Sequence, residues 1–284
     1  MKNKKKITNK KKILKIVSIC LTALVVIGLT LFWGTYAYII TNKSPYNEGY
    51  QSYRGTTVIA HRGWSEKYFD NTVQAFNAAA TESFFGGIET DVRKTLDGVW
   101  VCSHDDNPFS DKNIKISKSK FNDIKDLPLD VSSAKTTANK AETYYLATYE
   151  DYIDICADND KKALIEIKGS YSEEELAPVV EKAISKVGYR NTIFGSFAEN
   201  SIANVLKHDY RVSALLFTQY RVVSSIYKEM NYSVGINRKI FSEKLLKSVH
   251  EKHNFLYVYN VNTVEEYNDL VKMQVDFVIT DYKF

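Results

Sequence analysis

From Thr56 onward, short runs of β-branched and aromatic residues alternate with segments in which apolar residues recur at helical spacing. This alternation is typical of a parallel α/β fold, because parallel strands are joined by helical crossovers. Eight runs with seven helical segments between them predict a (β/α)₈ TIM barrel, whose active site lies at the carboxyl ends of its strands. The predicted strands are 57–60, 88–92, 163–167, 192–195, 213–217, 233–237, 256–261 and 277–280. The predicted helices are 72–82, 149–157, 172–186, 201–207, 222–228, 242–252 and 263–273.

One further strand-like run, 99–103, does not fit the barrel. Only a short connection containing Asp97 and Gly98 separates it from the second strand, which favours a hairpin and is too short for a parallel crossover. We therefore predict a hairpin above the second strand. The stretch 106–143 is rich in Lys, Asp, Asn and Ser and has weak periodicity, so we predict an insertion that is functional or mobile.

The first 40 residues have a different character. Residues 16–40 are 25 residues without a charge, which as a helix would span roughly 37 Å and cross a bilayer with some tilt. Lysines precede this run, and Trp33, Tyr36 and Tyr38 lie near its far end, where aromatic rings favour the membrane interface. We predict a single-pass anchor in the cell membrane, with the N-terminus cytoplasmic and the rest extracellular. A cleaved signal peptide is the alternative, although no clear cleavage site follows.

The predicted organisation is a basic cytoplasmic segment 1–15, a transmembrane helix 16–40, a linker 41–55 and one domain 56–284. The chain carries a net charge of +4, and the eight lysines before residue 16 contribute +8, so the rest carries −4. This acidic domain argues against a nucleic-acid partner, because binding to a phosphate backbone relies on a basic surface.

Two cysteines, Cys102 and Cys156, lie outside the predicted anchor. An oxidising compartment would permit a disulfide between them, but the sequence does not show that they are close enough to pair. A disulfide and two buried free thiols therefore both stay open.

Charged side chains and histidines gather at the predicted carboxyl ends of neighbouring strands. His61 follows the first strand, His104 ends the hairpin, and Glu89, Asp91 and Glu166 lie on the second and third strands. Side chains two apart on a strand share a face, so Glu89 and Asp91 project together. Charged groups at the inward end of a barrel strand are costly unless they are paired or bind a metal. We therefore predict a metal and phosphate site at this rim.

The carboxylates predict one hard divalent cation, Mg²⁺ or Ca²⁺, and three acidic ligands slightly favour Ca²⁺. Two histidines beside such an ion can share general acid and base catalysis near neutral pH. We expect Asp105 to orient His104 or to pair with it. Arg62 and Lys168 would supply positive charge for phosphate oxygens. The structural alternative is a rim of salt bridges in which Arg62, Arg93 and Lys168 neutralise the carboxylates.

The order and context of these residues resemble the glycerophosphodiester phosphodiesterase family. The matching segments are IAHRG at 59–63, DNTVQAF at 70–76, IETDVRKTLDGVWVCSHD at 88–105 and IEIK at 165–168, with weaker matches GSF at 195–197, YNVN at 259–262 and VITDY at 278–282. The resemblance implies a (β/α)₈ barrel and a divalent ion held by Glu89, Asp91 and Glu166. It also implies acid and base roles for His61 and His104.

The resemblance further implies a reaction and a substrate class. One histidine assists attack on phosphorus and the other protonates the leaving alcohol, which gives an alcohol and glycerol 3-phosphate; a glycerol hydroxyl is a candidate internal nucleophile. Phosphate contacts are implied for Arg62 and Lys168. Phe197 and Tyr259 either line the substrate pocket or fill the barrel. With an outward orientation, the candidate substrates are deacylated phospholipids and glycerophosphate polymers.

The sequence departs from the family pattern in two places. The family usually has Pro-Glu-Asn-Thr where this chain has FDNT at 69–72, and often a Trp before Thr-Val-Asn where this chain has Tyr259 and Asn260. We expect altered pocket geometry and retained metal ligation. Two alternatives stay open: a phospholipase C-like or sphingomyelinase D-like phosphodiesterase, and a non-catalytic barrel that binds glycerophosphate polymers.

Overall fold

The computed structural model describes residues 55–134, 141–219 and 232–284, all within one compact unit, Ser44–Phe284. The described residues form ten strands: β1 (Thr57–Ala60), β2 (Gly87–Lys94), β3 (Trp100–Cys102), β4 (Ala147–Thr148), β5 (Lys162–Ile167), β6 (Thr192–Ser196), β7 (Ser213–Thr218), β8 (Ser233–Asn237), β9 (Leu256–Tyr259) and β10 (Phe277–Thr280). Their helices are α1 (Val73–Ala80), α2 (Phe121–Ile124), α3 (Tyr149–Asp158), α4 (Glu173–Val187), α5 (Glu199–His208), α6 (Glu243–His250) and α7 (Val264–Lys272).

Eight of the strands run parallel and close into a barrel. β1 pairs with β2 on one side and with β10 on the other, and β5 to β9 complete the ring in chain order. The (β/α)₈ barrel predicted from the sequence is therefore confirmed. The predicted helix 222–228 lies outside the described residues.

The barrel interior contains an apolar cluster in which the ring of Phe217 fits between two glycines. A Cβ on Gly195 of β6 would lie 2.6 Å from the ring of Phe217, and a Cβ on Gly235 of β8 would lie 2.3 Å from it. The two glycines thus leave the space that the Phe217 ring occupies on the strand between them. The interior cluster comprises Ile59, Leu164, Ile193, Leu215, Phe217, Tyr257, Phe277 and Ile279.

Ser and Thr caps fix where several helices begin, at the carboxyl edge of the barrel. The side chains of Thr72, Thr148, Ser172, Ser242 and Thr263 each accept a hydrogen bond from a backbone N–H in the first helical turn. Such caps satisfy N–H groups that have no partner within the helix. The connections from strand to helix, which hold the site described below, are therefore anchored at their helical ends.

The predicted hairpin is present. β3 pairs antiparallel with the carboxyl end of β2, with Val92 opposite Cys102, and β4 pairs antiparallel with β3. Since β1 pairs only with the start of β2, the far end of β2 is free to pair with β3 above the barrel.

The insertion 106–143, which the sequence predicts to be functional or mobile, is packed in its described part. Its apolar residues form a small core against Phe69 and Val101. Ile116 lies on a short 3₁₀ turn, Ile124 lies on a one-turn helix, and Phe109 and Leu129 meet at an isolated β-bridge, so neither helical nor strand spacing develops in the sequence. The buried residues of this core are Phe69, Val101, Phe109, Ile116, Ile124, Leu129, Tyr144 and Leu146.

Cys102 and Cys156 are both buried free thiols, which decides between the two alternatives that the sequence left open. Burial raises the pKa of Cys156 to about 12, so this thiol stays protonated near neutral pH. The predicted anchor 16–40 lies outside the described residues. In the ranges that are described, helices with both the length and the apolar character of a membrane span are not found.

Candidate active site

His61 follows β1 directly, and a carboxylate holds its imidazole from one side. Its Nδ1 lies 2.7 Å from Oδ1 of Asp281, which follows the neighbouring strand β10. The side-chain amide of Asn260 lies 2.9 Å from the same nitrogen. Asp281 is only 3% exposed, and it accepts hydrogen bonds from Ser65 and from the amide of Asn262. With Nδ1 engaged, Nε2 is left for proton transfer.

Three carboxylates meet beside this histidine. Glu89 and Asp91 share one face of β2, and the register places Asp91 opposite Glu166 of β5. One carboxylate oxygen from each residue lies within 4.8 Å of the others. All three side chains are buried. The structure thus brings together the three residues that the sequence singled out as metal ligands.

The hydrogen bonding and the pKa shifts of these carboxylates are those expected of a cation-binding site. Within the described residues, Oε1 of Glu89 is buried and accepts no hydrogen bond, whereas Oδ1 of Asp91 lies 2.9 Å from Nζ of Lys168. Burial, followed by the charges of Asp91 and Glu166, raises the pKa of Glu89 well above its usual value. Burial and the charge of Asp91 raise the pKa of Glu166 to about 7. A buried set of oxygen donors with unused lone pairs suits Ca²⁺ or Mg²⁺.

Two cations border the carboxylates. Nε of Arg62 lies 3.0 Å from Asp91, and its Nη1 donates to Asp70 at 3.0 Å. Nζ of Lys168 lies 2.9 Å from Asp91 and also contacts Glu166. Burial alone would raise the pKa of Asp91, but the charges of Arg62 and Lys168 hold it below its usual value. The salt bridges of the structural alternative therefore exist for these two cations, yet three carboxylates still exceed them in charge.

His104 lies just beyond β3 on the hairpin. Its Nδ1 lies 2.8 Å from Oδ1 of Asp105, as the sequence led us to expect. The side chain is 43% exposed, against 16% for His61, so His104 is the more open of the two. Residues next to both histidines contact the strand of the carboxylates: the backbone N–H of Arg62 donates to Glu89 at 2.8 Å, and that of Ser103 donates to the carbonyl of Asp91 at 2.9 Å.

Both imidazoles are biased towards the neutral form. For His61, burial and then the nearby Arg62 lower the pKa below 6.5, while Asp281 acts in the opposite direction. For His104, burial and then Arg62 also lower the pKa. A neutral imidazole near pH 7 has a lone pair that can accept a proton from an attacking hydroxyl group.

Three aromatic side chains, Phe197, Phe217 and Tyr259, pack together next to Lys168. Phe197, which follows β6, is 44% exposed and stacks on Phe217 with ring centroids 5.4 Å apart. Tyr259 meets both rings edge-on, and its hydroxyl donates to the carbonyl of Thr218 at 2.9 Å. Nζ of Lys168 lies 5.8 Å from the centroid of Phe197. Phe217 therefore fills the barrel, whereas Phe197 presents an open face at its mouth.

Comparison with known proteins decides the family. The model of the glycerophosphoryl diester phosphodiesterase family matches residues 61–283. The chain belongs to this family. It is an enzyme, a glycerophosphodiester phosphodiesterase.

Two kinds of relative extend this result. The glycerophosphodiester phosphodiesterase of Caldanaerobacter subterraneus subsp. tengcongensis is 27% identical over 236 residues, which cover 80% of this chain and 94% of the relative. A phosphodiesterase of Oleispira antarctica, solved in complex with the product sn-glycerol-3-phosphate, has a TM-score of 0.67 at 18% identity and covers 80% of this chain and 94% of its own. The glycerophosphodiester phosphodiesterase structure of Thermotoga maritima has a TM-score of 0.60 at 23% identity, with 81% and 96% covered. At these identities the two structures show the shared fold.

Three polar residues of this phosphodiesterase support the site without having been assigned a role from the sequence. The amide of Asn71 donates to Asp91 at 2.8 Å, and its carbonyl oxygen accepts from Thr90 and from the backbone of Asp91. Asp281 and Asn260 hold His61, as described above. The signal for them was present, because all three residues fall within the segments that match the family.

The departures from the family pattern have small structural consequences here. Asp70 occupies the position of the usual glutamate and still reaches Arg62, so the shorter side chain keeps this contact. β9 ends at Tyr259, two residues before the predicted end, because Asn260 and Asn262 turn their amides towards His61 and Asp281.

We predict that Asp281→Asn lowers kcat of this phosphodiesterase about tenfold to a thousandfold with little change in KM, because the neutral amide no longer fixes one tautomer of His61. Steady-state kinetics measures the effect. Asp276→Asn is the matched control, since Asp276 makes a similar 2.8 Å contact with His250 at the opposite end of β10. Equal losses of kcat in the two variants would contradict a role specific to His61.

Proposed function

We propose that this phosphodiesterase hydrolyses glycerophosphodiesters to an alcohol and glycerol 3-phosphate with one divalent cation, Ca²⁺ or Mg²⁺, held by Glu89, Asp91 and Glu166. The observation that supports this most directly is the cluster of three buried carboxylates whose oxygens lie within 4.8 Å of one another, in which Oε1 of Glu89 accepts no hydrogen bond from the described residues. When bound, the cation would polarise the phosphoryl oxygens and orient the attacking hydroxyl group.

His61 and His104 divide the proton transfers between them. One imidazole accepts the proton of the attacking hydroxyl group as its oxygen forms the new bond to phosphorus. The other donates a proton to the leaving alkoxide oxygen as its bond to phosphorus breaks. Attack by water gives glycerol 3-phosphate directly, whereas attack by a glycerol hydroxyl gives a cyclic phosphate, which water then opens with the two histidines in exchanged roles. The proton balance then requires one neutral and one protonated histidine at the start of each turnover.

Arg62 and Lys168 are proposed to bind the phosphate oxygens. In the described structure both are directed at Asp91, so they already lie next to the carboxylates where the phosphate has to approach. The guanidinium suits two phosphate oxygens at once, whereas the ammonium acts as a point charge. Phe197 and Tyr259 would border the part of the pocket that receives the organic groups of the substrate.

The structure weighs against a lipid-cleaving alternative. A phospholipase C-like or sphingomyelinase D-like enzyme would benefit from a long apolar loop for its lipid. The described part of the insertion instead buries its apolar residues in its own core. We therefore favour a water-soluble diester or the accessible end of a glycerophosphate polymer as the substrate. A non-catalytic binding barrel would not need the paired histidines.

We also propose that residues 1–15 are cytoplasmic, 16–40 form a membrane anchor, 41–55 form a linker and the catalytic domain faces the outside of the cell. The lysine-rich start followed by the uncharged run supports this topology. Protease added to intact cells should remove the domain that begins at residue 56. Protection of this domain on intact cells, with digestion only after lysis, would reverse the topology.

The full chain purified in detergent tests the proposed reaction. We expect glycerol 3-phosphate and the free alcohol as the products from a panel of glycerophosphodiesters that differ in the alcohol. The panel should include a diester without a glycerol group as a control for general phosphodiesterase activity. Release of glycerol with a phosphorylated alcohol, or equal rates on the control diester, would contradict the proposal.

A further inference from the structure

Arg93 links the strand that carries two of the proposed metal ligands to the backbone of His104. Glu89, Asp91 and Arg93 alternate along β2, so all three side chains share one face of the strand. From this face the guanidinium of Arg93 donates two hydrogen bonds to the carbonyl oxygen of His104, from Nε at 3.0 Å and from Nη2 at 2.6 Å.

The hairpin offers His104 few other attachments to the barrel. The antiparallel ladder between β2 and β3 ends with Cys102, before the histidine. Beyond it, the backbone N–H of Ser103 donates to the carbonyl of Asp91 at 2.9 Å. The imidazole itself pairs with Asp105, the next residue along the chain, and not with a barrel strand. Among the described residues, the contact with Arg93 is therefore the hydrogen bond that reaches the backbone of His104 itself from a barrel strand.

Arg93 binds a neutral carbonyl group, whereas the neighbouring cationic side chains pair with carboxylates. The neighbouring Lys94 pairs with Glu175, and Arg62 and Lys168 pair with carboxylates. Within the described residues, Arg93 forms no ion pair and directs its fork at a neutral carbonyl group. The planar guanidinium loses little conformational freedom when two of its N–H groups bind one acceptor, so it holds the acceptor more firmly than a single donor would.

We propose that Arg93 is a positioning residue for the hydrolysis, which holds His104 at the distance from the carboxylates that proton transfer requires. The inference rests on the catalytic role proposed for His104. A displacement of about 1 Å of a catalytic group is sufficient to lower a rate about a hundredfold, so loss of this clamp affects turnover more than substrate binding.

A double-mutant cycle on the full chain, purified in detergent and saturated with Ca²⁺ or Mg²⁺, tests the proposal. We expect Arg93→Ala to lower kcat about tenfold to a hundredfold and to change KM by less than about threefold. In the His104→Ala background, the same substitution should change kcat by less than about twofold, because no imidazole remains to be positioned. Arg93→Lys, which keeps the charge and one donor, should retain an intermediate kcat and covers the case in which Arg93→Ala does not fold.

The control is Arg190→Ala, since Arg190 is exposed in the connection before β6, at the opposite end of the barrel. An unchanged kcat in Arg93→Ala would overturn the inference. So would a loss confined to KM, which would assign Arg93 to substrate binding, or a loss of kcat that persists in full without His104, which would show a role independent of that histidine. If His104→Ala alone keeps full activity, the proposed role of His104 fails, and this outcome is distinguishable from a failure at Arg93.

Discussion

Replacing His61 with alanine is expected to lower kcat about 10²- to 10⁴-fold, the range typical for removal of a general acid or base. The reason is structural: Asp281 engages Nδ1 of His61, and burial lowers the pKa of the imidazole, so its second nitrogen is prepared for proton transfer near neutral pH. KM should change much less, because Arg62 and Lys168 are proposed to bind the phosphate. Initial rates of glycerol 3-phosphate release give both constants.

The control for this variant is His208→Ala, since His208 pairs with Glu181 in the helical layer, 3.3 Å away. Its kcat should stay within about twofold of the wild type. Added imidazole should partly restore His61→Ala, because the small base can enter the space that the side chain vacates. A His61→Ala protein with undiminished kcat would remove His61 from the mechanism.

Glu89→Gln is expected to stabilise the metal-free protein while it abolishes metal-dependent activity. Glu89 is 2% exposed, lies beside Asp91 and Glu166, and has an oxygen that accepts no hydrogen bond in the described structure. Glutamine has the same shape without the charge, so the repulsion among the carboxylates falls. We expect the free energy of unfolding of the metal-free protein to rise by about 1–3 kcal/mol at pH 8 and kcat to fall at least about a hundredfold.

This gain in stability should depend on pH in a definite direction. Folding raises the pKa of Glu89, so the stability associated with the protonated carboxyl is fully present below about 4.5, the usual value in an unfolded chain. It is lost as the pH rises through the higher folded value. The metal-free wild type therefore loses stability with rising pH, whereas glutamine cannot ionise. The advantage of Glu89→Gln should grow from pH 5 to pH 8.

Chemical denaturation with excess chelator at pH 5 and pH 8 measures the free energy of unfolding and its change with pH. In a second series, added Ca²⁺ or Mg²⁺ should stabilise the wild type but not the variant. Glu265→Gln provides the control, because Glu265 is exposed at the start of α7. Should Glu89→Gln destabilise the metal-free protein at pH 8, the three carboxylates would not be under the repulsion that the geometry indicates.

Much of the barrel could be predicted from the sequence because strands and helices are indicated by residue patterns within short segments. The spacing of β-branched residues locates the strands, and alternation along β2 places Glu89 and Asp91 on one face before any tertiary contact is known. The hairpin was equally accessible, since Asp97 and Gly98 leave too few residues for a crossover. These predictions depend only on neighbours in the chain.

The contacts that the sequence did not predict depend on tertiary structure. Asp281 is 220 residues from His61 in sequence, and the two meet because β1 pairs with β10. Arg93 was assigned to a possible salt bridge, yet the hairpin brings a backbone carbonyl within its reach instead. Every residue has a backbone carbonyl group, so the sequence does not indicate which one accepts a hydrogen bond, and this contact can be found only in the structure. The same holds for the core of the insertion, whose apolar residues show no regular spacing.

The central claim is that one divalent cation at Glu89, Asp91 and Glu166 is required for hydrolysis. The most direct measurement starts from the full chain freed of metal by a chelator and then dialysed, and follows the release of glycerol 3-phosphate as Ca²⁺ or Mg²⁺ is added. The account predicts negligible activity at the start and a rise that saturates at one bound ion per chain, with no rise in Glu89→Gln. Undiminished activity in the metal-free protein would contradict it.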